Sequence, residues 1–256
     1  MNRYFVYLAY DGTNYCGWQL QPKGVSVQGC VEASLSLLSG EKVRVTGAGR
    51  TDAGVHARCM VAHFDAPGKL IPYLTDCGRL NRILPNDIAV YDIFRVGEEA
   101  HARYDAISRT YKYYLSGRKD PFTRAYTYFY PVTLLNRVAM NEAAHLLLDY
   151  EDFTSFSKLY SGARTNRCCV TVAEWDESYT FTISANRFLR NMVRAIVGTL
   201  LAVGRGKLSP NDFRRIIERR DRSAAGTSAP AQGLFLDQIT YDLCKIQTNK
   251  FPQSFS

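Results

Sequence analysis

The stretch "GAGRTDAGVHA", residues 47–57, places one arginine and one aspartate two positions apart between glycines. In extended backbone, residues i and i+2 project to the same side, so we expect the side chains of Arg50 and Asp52 to meet. A guanidinium beside a carboxyl group favours its ionised form. An ionised carboxylate can attack an anomeric carbon, as the nucleophile of a retaining glycosidase does. The pair therefore predicts nucleophilic chemistry at a sugar, with a salt-bridged structural turn as the alternative.

Other chemistries fit this loop less well. A glycosidase needs a second carboxyl group as its acid, and none is evident close by, whereas a nucleoside rearrangement tolerates a single carboxylate. A Walker A phosphate loop ends in Gly-Lys-Ser/Thr, which is missing here, and the glycines also depart from the G-x-G-x-x-G spacing. Instead, Gly47, Gly49 and Gly54 predict unusual backbone angles or the close approach of another segment.

The elements that must position this loop alternate between strands and helices. Hydrophobic periodicity, with Gly40 and Pro85 as helix-ending signals, defines six elements in the first part of the chain. They are a strand at 4–9, a helix at 27–38, strands at 43–45 and 57–64, a helix at 70–83 and a strand at 88–94. This β-α-β-β-α-β order is typical of a ferredoxin-like unit.

The second part of the chain repeats this order without repeating the residues. Its predicted elements are a strand at 110–115, a helix at 134–148, a hairpin at 170–175 and 179–184, helices at 188–203 and 212–220, and a strand at 234–241. We therefore expect an α+β fold of two ferredoxin-like β-α-β-β-α-β halves, residues 1–104 and 105–256, with sheets packed around a central basic cleft. A cleft between two such halves is a common place for a site.

Composition narrows the class of protein. The 256 residues are 46% apolar and 22% charged, which is the profile of a soluble globular protein. No apolar run approaches the ~20 residues that span a bilayer, and the N-terminus lacks a signal-peptide cleavage site, so a cytoplasmic location is expected. Seven cysteines show no C-x-x-C spacing and four histidines no zinc-ligand spacing. The sequence therefore predicts no metal site and no membrane partner.

Positive charge is concentrated near the C-terminal end. The net charge is +8, and residues 187–222 contain ten Lys or Arg against three Asp or Glu. Such a surplus indicates an acidic partner, nucleic acid first, with a solvated helix surface as the alternative. Within the predicted helix at 188–203, Arg187, Arg190 and Arg194 recur at i, i+3 and i+7 and are expected to form one basic stripe. Arg194 sits deepest in the apolar stretch and needs an anionic partner, for which Asp52 is the natural candidate.

The motifs on either side of the loop complete a resemblance. "GRTDAGVHA" resembles the signature of the tRNA pseudouridine synthase A family, which converts uridines of the tRNA anticodon stem-loop, at tRNA positions 38–40, to pseudouridine. The agreement extends through "YDGTNYCGWQLQP", "SVQG", "LNRILPNDIAV", "HARYDA", "RTYKY", "DFTSF", "FLRNMVRAIVG" and "AGTSAPAQGLFL". It covers nearly the whole chain.

The resemblance implies a role for individual residues. Asp52 falls on the catalytic aspartate, and Arg50 on the arginine that enters the helical stack when the target base is flipped out. Tyr111 falls on the tyrosine that contacts the uracil ring, and Arg194 on a basic residue that pairs with the aspartate. The resemblance also implies a homodimer that binds the anticodon arm of tRNA and uses neither cofactor nor catalytic metal. Beside these, Arg187 and Arg190 are candidate tRNA-binding residues.

Two other functions remain open at this point. A non-catalytic RNA-binding protein would use the same basic cleft and aromatic residues, but Asp52 would be dispensable. A small-molecule enzyme with a phosphate in the glycine loop would bind mononucleotides with little salt dependence for RNA. The residues also leave open whether Asp52 attacks C1′, attacks C6 of the base, or assists elimination through a glycal.

Overall fold

A computed structural model of the chain describes residues 1–158 and 164–248. The chain forms two compact units. Unit 1 contains Met1–Ile107 together with the segment that begins at Leu236, and unit 2 is Ser108–Phe235. Each unit combines helices with antiparallel strands, so the expected α+β class is confirmed.

Unit 1 has the predicted β-α-β-β-α-β order. Its elements are β1 (Asn2–Tyr10), α1 (Val27–Ser39), β2 (Thr46–Gly47), β3 (His56–Ala66), a helical region split into α2 (Ile71–Leu74) and α3 (Cys77–Ile83), and β4 (Ile88–Val96). β1 lies between β3 and β4 and is antiparallel to both, while β2 pairs with β3. The side chain of Ser26 caps the start of α1, and Gly40 ends the helix in the left-handed conformation at φ +69°.

Two predicted elements of unit 1 are wrong in detail. Residues 43–45 form no strand, because their backbone bonds to side chains of α1: Glu32 Oε1 accepts from Val45 N at 3.1 Å, and Ser36 Oγ accepts from Val43 N at 2.9 Å. Strand pairing therefore begins later, at β2. The predicted helix at 70–83 is interrupted before α3, where the carboxylate of Asp76 accepts from Arg79 N at 3.0 Å and starts a new helix.

Unit 2 repeats the pattern with longer insertions. Its elements are β5 (Ala106–Ser116), which starts at the end of unit 1, β6 (Tyr128–Phe129), α4 (Arg137–His145), β7 (Val170–Trp175), β8 (Thr180–Ala185), α5 (Met192–Gly204), α6 (Pro210–Arg219) and β9 (Leu234–Tyr241). β8 lies between β5 and β7 and is antiparallel to both. Ser209 and Asp212 form a capping box at the start of α6.

The last strand, β9, carries the chain from one unit to the other. Its residues from Leu236 onward belong to unit 1, where β9 lies beside β3 and the ring of Tyr241 packs edge-on against Phe5 at 5.4 Å. The expected C-terminal half, residues 105–256, therefore differs from unit 2 at its end. Among the helices of the described residues, none has both the length and the apolar character that crossing a bilayer requires.

Candidate active-site residues in the two units

The aspartate loop, residues 47–57, connects β2 to β3 in unit 1. Gly47 lies against the indole of Trp18, and a Cβ atom added to it would stand 2.3 Å from Trp18 Nε1. Gly54 has φ +76°, in the left-handed region that favours glycine. Gly49 shows neither feature, since a Cβ there would have no neighbour within 4 Å. Two of the three glycines are thus required by the local structure.

A second segment, residues 11–18, holds the backbone on the C-terminal side of Asp52. The N–H of Gly12 donates to Nδ1 of His56 at 3.0 Å, and a Cβ on Gly12 would stand only 2.0 Å from the carbonyl oxygen of Val55. The N–H of Val55 in turn donates to the carbonyl oxygen of Asp52 at 3.1 Å. The turn that follows Asp52 is therefore fixed by direct backbone packing.

The same segment holds the residue before Asp52. The carbonyl oxygen of Thr51 accepts from Trp18 N at 3.4 Å, and the Thr51 hydroxyl shares a hydrogen bond of 2.9 Å with the hydroxyl of Tyr10. Thr51 is buried, Asp52 is half-buried and Arg50 is exposed. The carboxylate thus stands at the surface on a backbone held from both sides. The expected ion pair between Arg50 and Asp52 stays a prediction.

Segment 11–18 is itself attached to the turn before β4. The hydroxyl of Tyr15 donates to the carboxylate of Asp87, and Asp11 N donates to the Asp87 carbonyl oxygen at 2.9 Å. Burial, and then the hydrogen bond to Asp87, raise the pKa of Tyr15, so this phenol stays protonated at neutral pH. Tyr15 therefore remains a hydrogen-bond donor to Asp87 at neutral pH.

In unit 2, Tyr111 lies on β5 opposite Ile183 of β8. Its ring meets the ring of Phe188 edge to face, with centroids 5.1 Å apart. Tyr113, two residues along the same face, donates its hydroxyl to the carbonyl oxygen of Pro230 at 2.8 Å. Burial raises the pKa of Tyr113 well above its ordinary value. Tyr113 is thus a structural tyrosine, and Tyr111 remains the candidate for a base contact.

The three arginines expected on one helical stripe do not share a helix. α5 begins at Met192, after Asn191 at φ +64°, so Arg187 and Arg190 precede it and only Arg194 is helical. The predicted stripe is therefore wrong. Apolar periodicity in this stretch is overridden by tertiary contacts, because the side-chain oxygen of Asn186 accepts from the backbone N–H of Cys169 at 2.8 Å and holds the chain in an irregular conformation.

Arg187 and Arg190 nevertheless stand in one short segment. Nη1 of Arg187 donates to the carbonyl oxygen of Thr165 at 3.1 Å, so this guanidinium partly serves the fold. The carbonyl oxygen of Arg190 accepts from Lys158 N at 3.1 Å, and its side chain is exposed. Of the two, Arg190 has the more accessible charge for a phosphate.

Arg194 is held by a loop that follows α6, residues 225–230. Its Nε donates to the carbonyl oxygen of Ala229 at 2.7 Å, and the N–H of Ala229 donates to the Arg194 carbonyl oxygen at 2.9 Å. The loop also touches the middle of α5, where a Cβ on Gly198 would stand 1.8 Å from the Thr227 carbonyl oxygen. The guanidinium of Arg194 is half-buried and fixed at its Nε.

Segments 11–18 and 225–230 lie within the motifs that carry the resemblance, but sequence alone assigns them no role. Gly12 in the first segment and Gly198 in α5, opposite the second, were an available signal, because both mark backbone that approaches another segment too closely for a side chain. No cluster of three His, Cys, Asp or Glu side chains suited to hold a metal ion occurs among residues 1–158 and 164–248.

Comparison with known proteins adds a separate line of evidence. The profile of a family described as tRNA pseudouridine synthase matches residues 7–105 and 143–242. The tRNA pseudouridine synthase A of Bacteroides fragilis is 56% identical over 245 residues, which cover 94% of this chain and 97% of the relative. That of Porphyromonas gingivalis is 54% identical over 250 residues, covering 94% and 98%. That of Geotalea daltonii is 41% identical over 239 residues, covering 91% and 97%.

Proposed function

The chain belongs to the tRNA pseudouridine synthase family, and on that premise we propose that it isomerises uridine to pseudouridine in the anticodon stem-loop of tRNA with Asp52 as nucleophile. Membership makes it an isomerase whose substrate is tRNA. The finer assignment rests mainly on one observation. Asp52 is a half-buried carboxylate on a loop that segment 11–18 holds on both sides.

The reaction explains why one carboxylate suffices. The N1–C1′ bond of uridine breaks and a C5–C1′ bond forms, after which C5 loses its proton and N1 gains one. No electron is transferred and no water is consumed, so the proposed chemistry needs neither a redox cofactor nor a metal-bound water. As a nucleophile, Asp52 bonds to one of the two fragments while the base turns, and that bond breaks again before the product leaves, which regenerates the carboxylate.

The target base must leave the helical stack before Asp52 can reach it. An extruded base requires a group that fills or supports the gap, and the planar cation of Arg50 suits that position. Its exposure supports this role, because an arginine buried in the fold could not enter RNA. Tyr111 offers its ring to the uracil and its hydroxyl for a hydrogen bond.

The remaining arginines supply positive charge to the same reaction. We assign to Arg194 a place beside the reacting groups, since its guanidinium is pre-oriented by Ala229. Arg190, and more weakly Arg187, would bind tRNA phosphates. We further propose a homodimer, acting in the cytoplasm, in which the body of the tRNA lies across the second subunit.

The direct test is to incubate purified protein with unmodified tRNA transcripts and to map pseudouridine by mass spectrometry of nuclease fragments. We expect pseudouridine in the anticodon stem-loop and nowhere else. Pseudouridine at other positions would contradict the regional assignment. Binding of tRNA without any pseudouridine would favour the non-catalytic alternative, and mononucleotide binding without tRNA binding would favour the small-molecule one.

Trapping with a modified tRNA tests which atom of the substrate Asp52 attacks. A tRNA with 5-fluorouridine at the target site keeps fluorine where C5 must lose its proton, so turnover stalls late in the reaction. An Asp52–C1′ bond would already be broken at that stage, because the new C5–C1′ bond displaces the carboxylate. An adduct that retains the base on Asp52 would therefore indicate attack at C6, and a rearranged product without an adduct would exclude attack at C6 in favour of attack at C1′ or elimination.

A further inference from the structure

Arg222 follows helix α6 and directs its guanidinium inward, at the loop of residues 225–230. Nη1 lies 3.4 Å from the Ala225 carbonyl oxygen and 3.3 Å from that of Gly226, and Nη2 lies 3.1 Å from the hydroxyl oxygen of Ser228. Arg222 is half-buried, whereas Arg214 on α6 is exposed. Arg222 is therefore committed to the fold rather than displayed to a ligand.

The Ser228 hydroxyl connects Arg222 to the start of α5. Nδ2 of Asn191 donates to the same oxygen at 2.6 Å, and Asn191 is the residue whose left-handed backbone precedes the helix. A hydroxyl oxygen has two acceptor lone pairs, so both donors can be satisfied at once. Arg222, Ser228 and Asn191 thus join the loop to the first turn of α5.

The other contacts of the loop reach the same helix, at Arg194 in its first turn and at Thr199 in its middle. Gly226 N donates to the hydroxyl oxygen of Thr199 at 3.0 Å, and Ala229 exchanges two hydrogen bonds with Arg194. The loop therefore transmits its position directly to the guanidinium of Arg194. Any movement of the Ala229 carbonyl oxygen would move the acceptor of Arg194 Nε.

We infer that Arg222 is a positioning residue for Arg194, acting through the loop 225–230, and not a phosphate-binding member of the basic surface. This inference rests on the role proposed above for Arg194. The planar guanidinium bonds three acceptors in one arrangement, which the single ammonium of a lysine cannot reproduce. A loop held this way keeps the charge of Arg194 oriented before tRNA arrives, and such pre-orientation is what charge stabilisation in a transition state requires.

The first experiment compares Arg222→Lys and Arg222→Gln with the wild-type chain, using a tRNA transcript as substrate. Both variants lose the arrangement of three hydrogen bonds, although only Arg222→Gln also loses the charge, so both should lower kcat about 10- to 100-fold and change the tRNA Kd by no more than about 2-fold. Arg79→Ala, which removes an exposed arginine paired with Asp76 in unit 1, is the control for loss of one charge. A weaker tRNA Kd with unchanged kcat would identify Arg222 as a phosphate contact and overturn the inference.

The second experiment tests whether the effect passes through Arg194. Single-turnover rates are measured for Arg222→Gln, Arg194→Ala and the double variant. In the wild-type background, Arg222→Gln should lower the single-turnover rate. In the Arg194→Ala background it should change that rate by less than about 2-fold, because the effects of groups that act as a unit are non-additive. Equal slowing in both backgrounds would overturn the inference and leave the role of Arg194 intact. A wild-type rate for Arg194→Ala would instead contradict the proposed function of Arg194.

A folding control keeps the result interpretable. If Arg222→Gln does not give a folded chain by circular dichroism, Ser228→Ala removes the acceptor of Nη2 while Arg222 keeps its two carbonyl contacts. That variant also removes the acceptor of Asn191 Nδ2, and the loss of these two hydrogen bonds should lower kcat about 3- to 10-fold with the tRNA Kd unchanged. An unchanged kcat in folded Ser228→Ala would contradict the connection through Ser228.

Discussion

The aspartate loop of unit 1, residues 47–57, and the arginine loop of unit 2, residues 225–230, each fix the position of a charged side chain, but they do so through different kinds of contact. Each holds one charged side chain at a fixed place: Asp52 stands on the irregular aspartate loop itself, and Arg194 stands on helix α5 beside the loop 225–230. In unit 1 many of the holding contacts are close backbone approaches, as where Gly12 meets Val55, with side-chain hydrogen bonds at Thr51 and His56 beside them. In unit 2 they are mainly side-chain hydrogen bonds, as where Arg222 meets the loop 225–230.

The difference determines which substitutions each loop tolerates. Backbone packing leaves no room for a side chain, so the aspartate loop should fail when a glycine gains a methyl group. Side-chain hydrogen bonding needs specific donors, so the loop 225–230 should fail when a donor is removed, even though one close backbone approach, at Gly198, also contributes there. A motif of glycines is accordingly the signature of the first loop, and scattered polar residues far apart in sequence are the signature of the second.

The largest effect is expected at the reacting carboxylate itself. Asp52→Asn should reduce pseudouridine formation by about 10³-fold or more, because the nucleophile is lost. Affinity for tRNA should be kept or slightly increased, since the removed charge repels phosphate. Single-turnover assays with mapped product and filter binding measure the two quantities. Substantial residual turnover would show that Asp52 is not an essential nucleophile. The contacts from segment 11–18 would then serve only the stability of the loop.

The next effect tests the backbone packing of the aspartate loop. Gly12→Ala places a Cβ 2.0 Å from the Val55 carbonyl oxygen, so we expect it to lower the free energy of unfolding by about 1–3 kcal/mol and to impair turnover. Gly49→Ala is the matched control, because its Cβ meets nothing within 4 Å and should change stability by less than about 0.5 kcal/mol. Urea denaturation of both variants provides the comparison. Equal stability of the two would show that packing does not define this loop.

An effect of intermediate size is expected at Tyr111, where two variants separate the contribution of the ring from that of the hydroxyl. Tyr111→Phe keeps the edge-to-face contact with Phe188 and the surface offered to uracil, so KM should change by less than about 3-fold. Tyr111→Ala loses both and should lower kcat/KM by about 10- to 100-fold. Steady-state kinetics on a tRNA transcript distinguish these outcomes. If both variants matched the wild type, Tyr111 would be a strand residue without a catalytic role.

The smallest effect concerns the exposed basic face of α6. Arg214→Glu and Arg219→Glu should each weaken tRNA binding. They should also flatten the slope of the logarithm of the tRNA association constant against the logarithm of the salt concentration by roughly 0.7–0.9 per lost phosphate contact. Turnover at saturating tRNA should not change, in contrast to the variants of Arg222. Lys42→Glu, an exposed lysine of unit 1, is the control for charge reversal. An unaltered salt slope in both arginine variants would exclude this helix face from tRNA binding.

The sequence predicts regular elements well where local pattern and tertiary fold agree. The strands at 170–175 and 234–241 coincide with β7 and β9 to the residue, and α1 begins at the predicted Val27. Alternating apolar residues, and a serine cap before an amphipathic run, suffice there because neighbouring segments reinforce the same choice.

The predictions fail where side chains distant in sequence redirect the backbone. The strand expected at 43–45 is displaced by hydrogen bonds from Glu32 and Ser36 of α1. The helix expected from 188 starts four residues late, because Asn186 and Asn191 serve other partners. Neither set of hydrogen bonds produces a periodic pattern in the sequence, so the pattern of apolar residues alone could not predict these two departures.

The same limit applies to the candidate site. Spacing and surroundings in the sequence indicate Asp52, Arg50 and Arg194, the resemblance adds Tyr111, and the catalytic roles of all four stay predictions. Arg222 was counted only as one positive charge among many. Its inward direction depends on acceptors three to six residues further along the chain, in a loop whose conformation the sequence does not reveal.

The return of β9 to unit 1 has a consequence for how the chain is made. On the ribosome, β1, β3 and β4 emerge early, but the strand that lies beside β3 emerges only after all of unit 2. At typical translation speeds this delay is on the order of ten seconds, during which an edge of β3 presents unpaired N–H and C=O groups. The unit that is synthesised first is therefore the one completed last, and a nascent chain stopped before Leu236 would leave it open to chaperones and to aggregation.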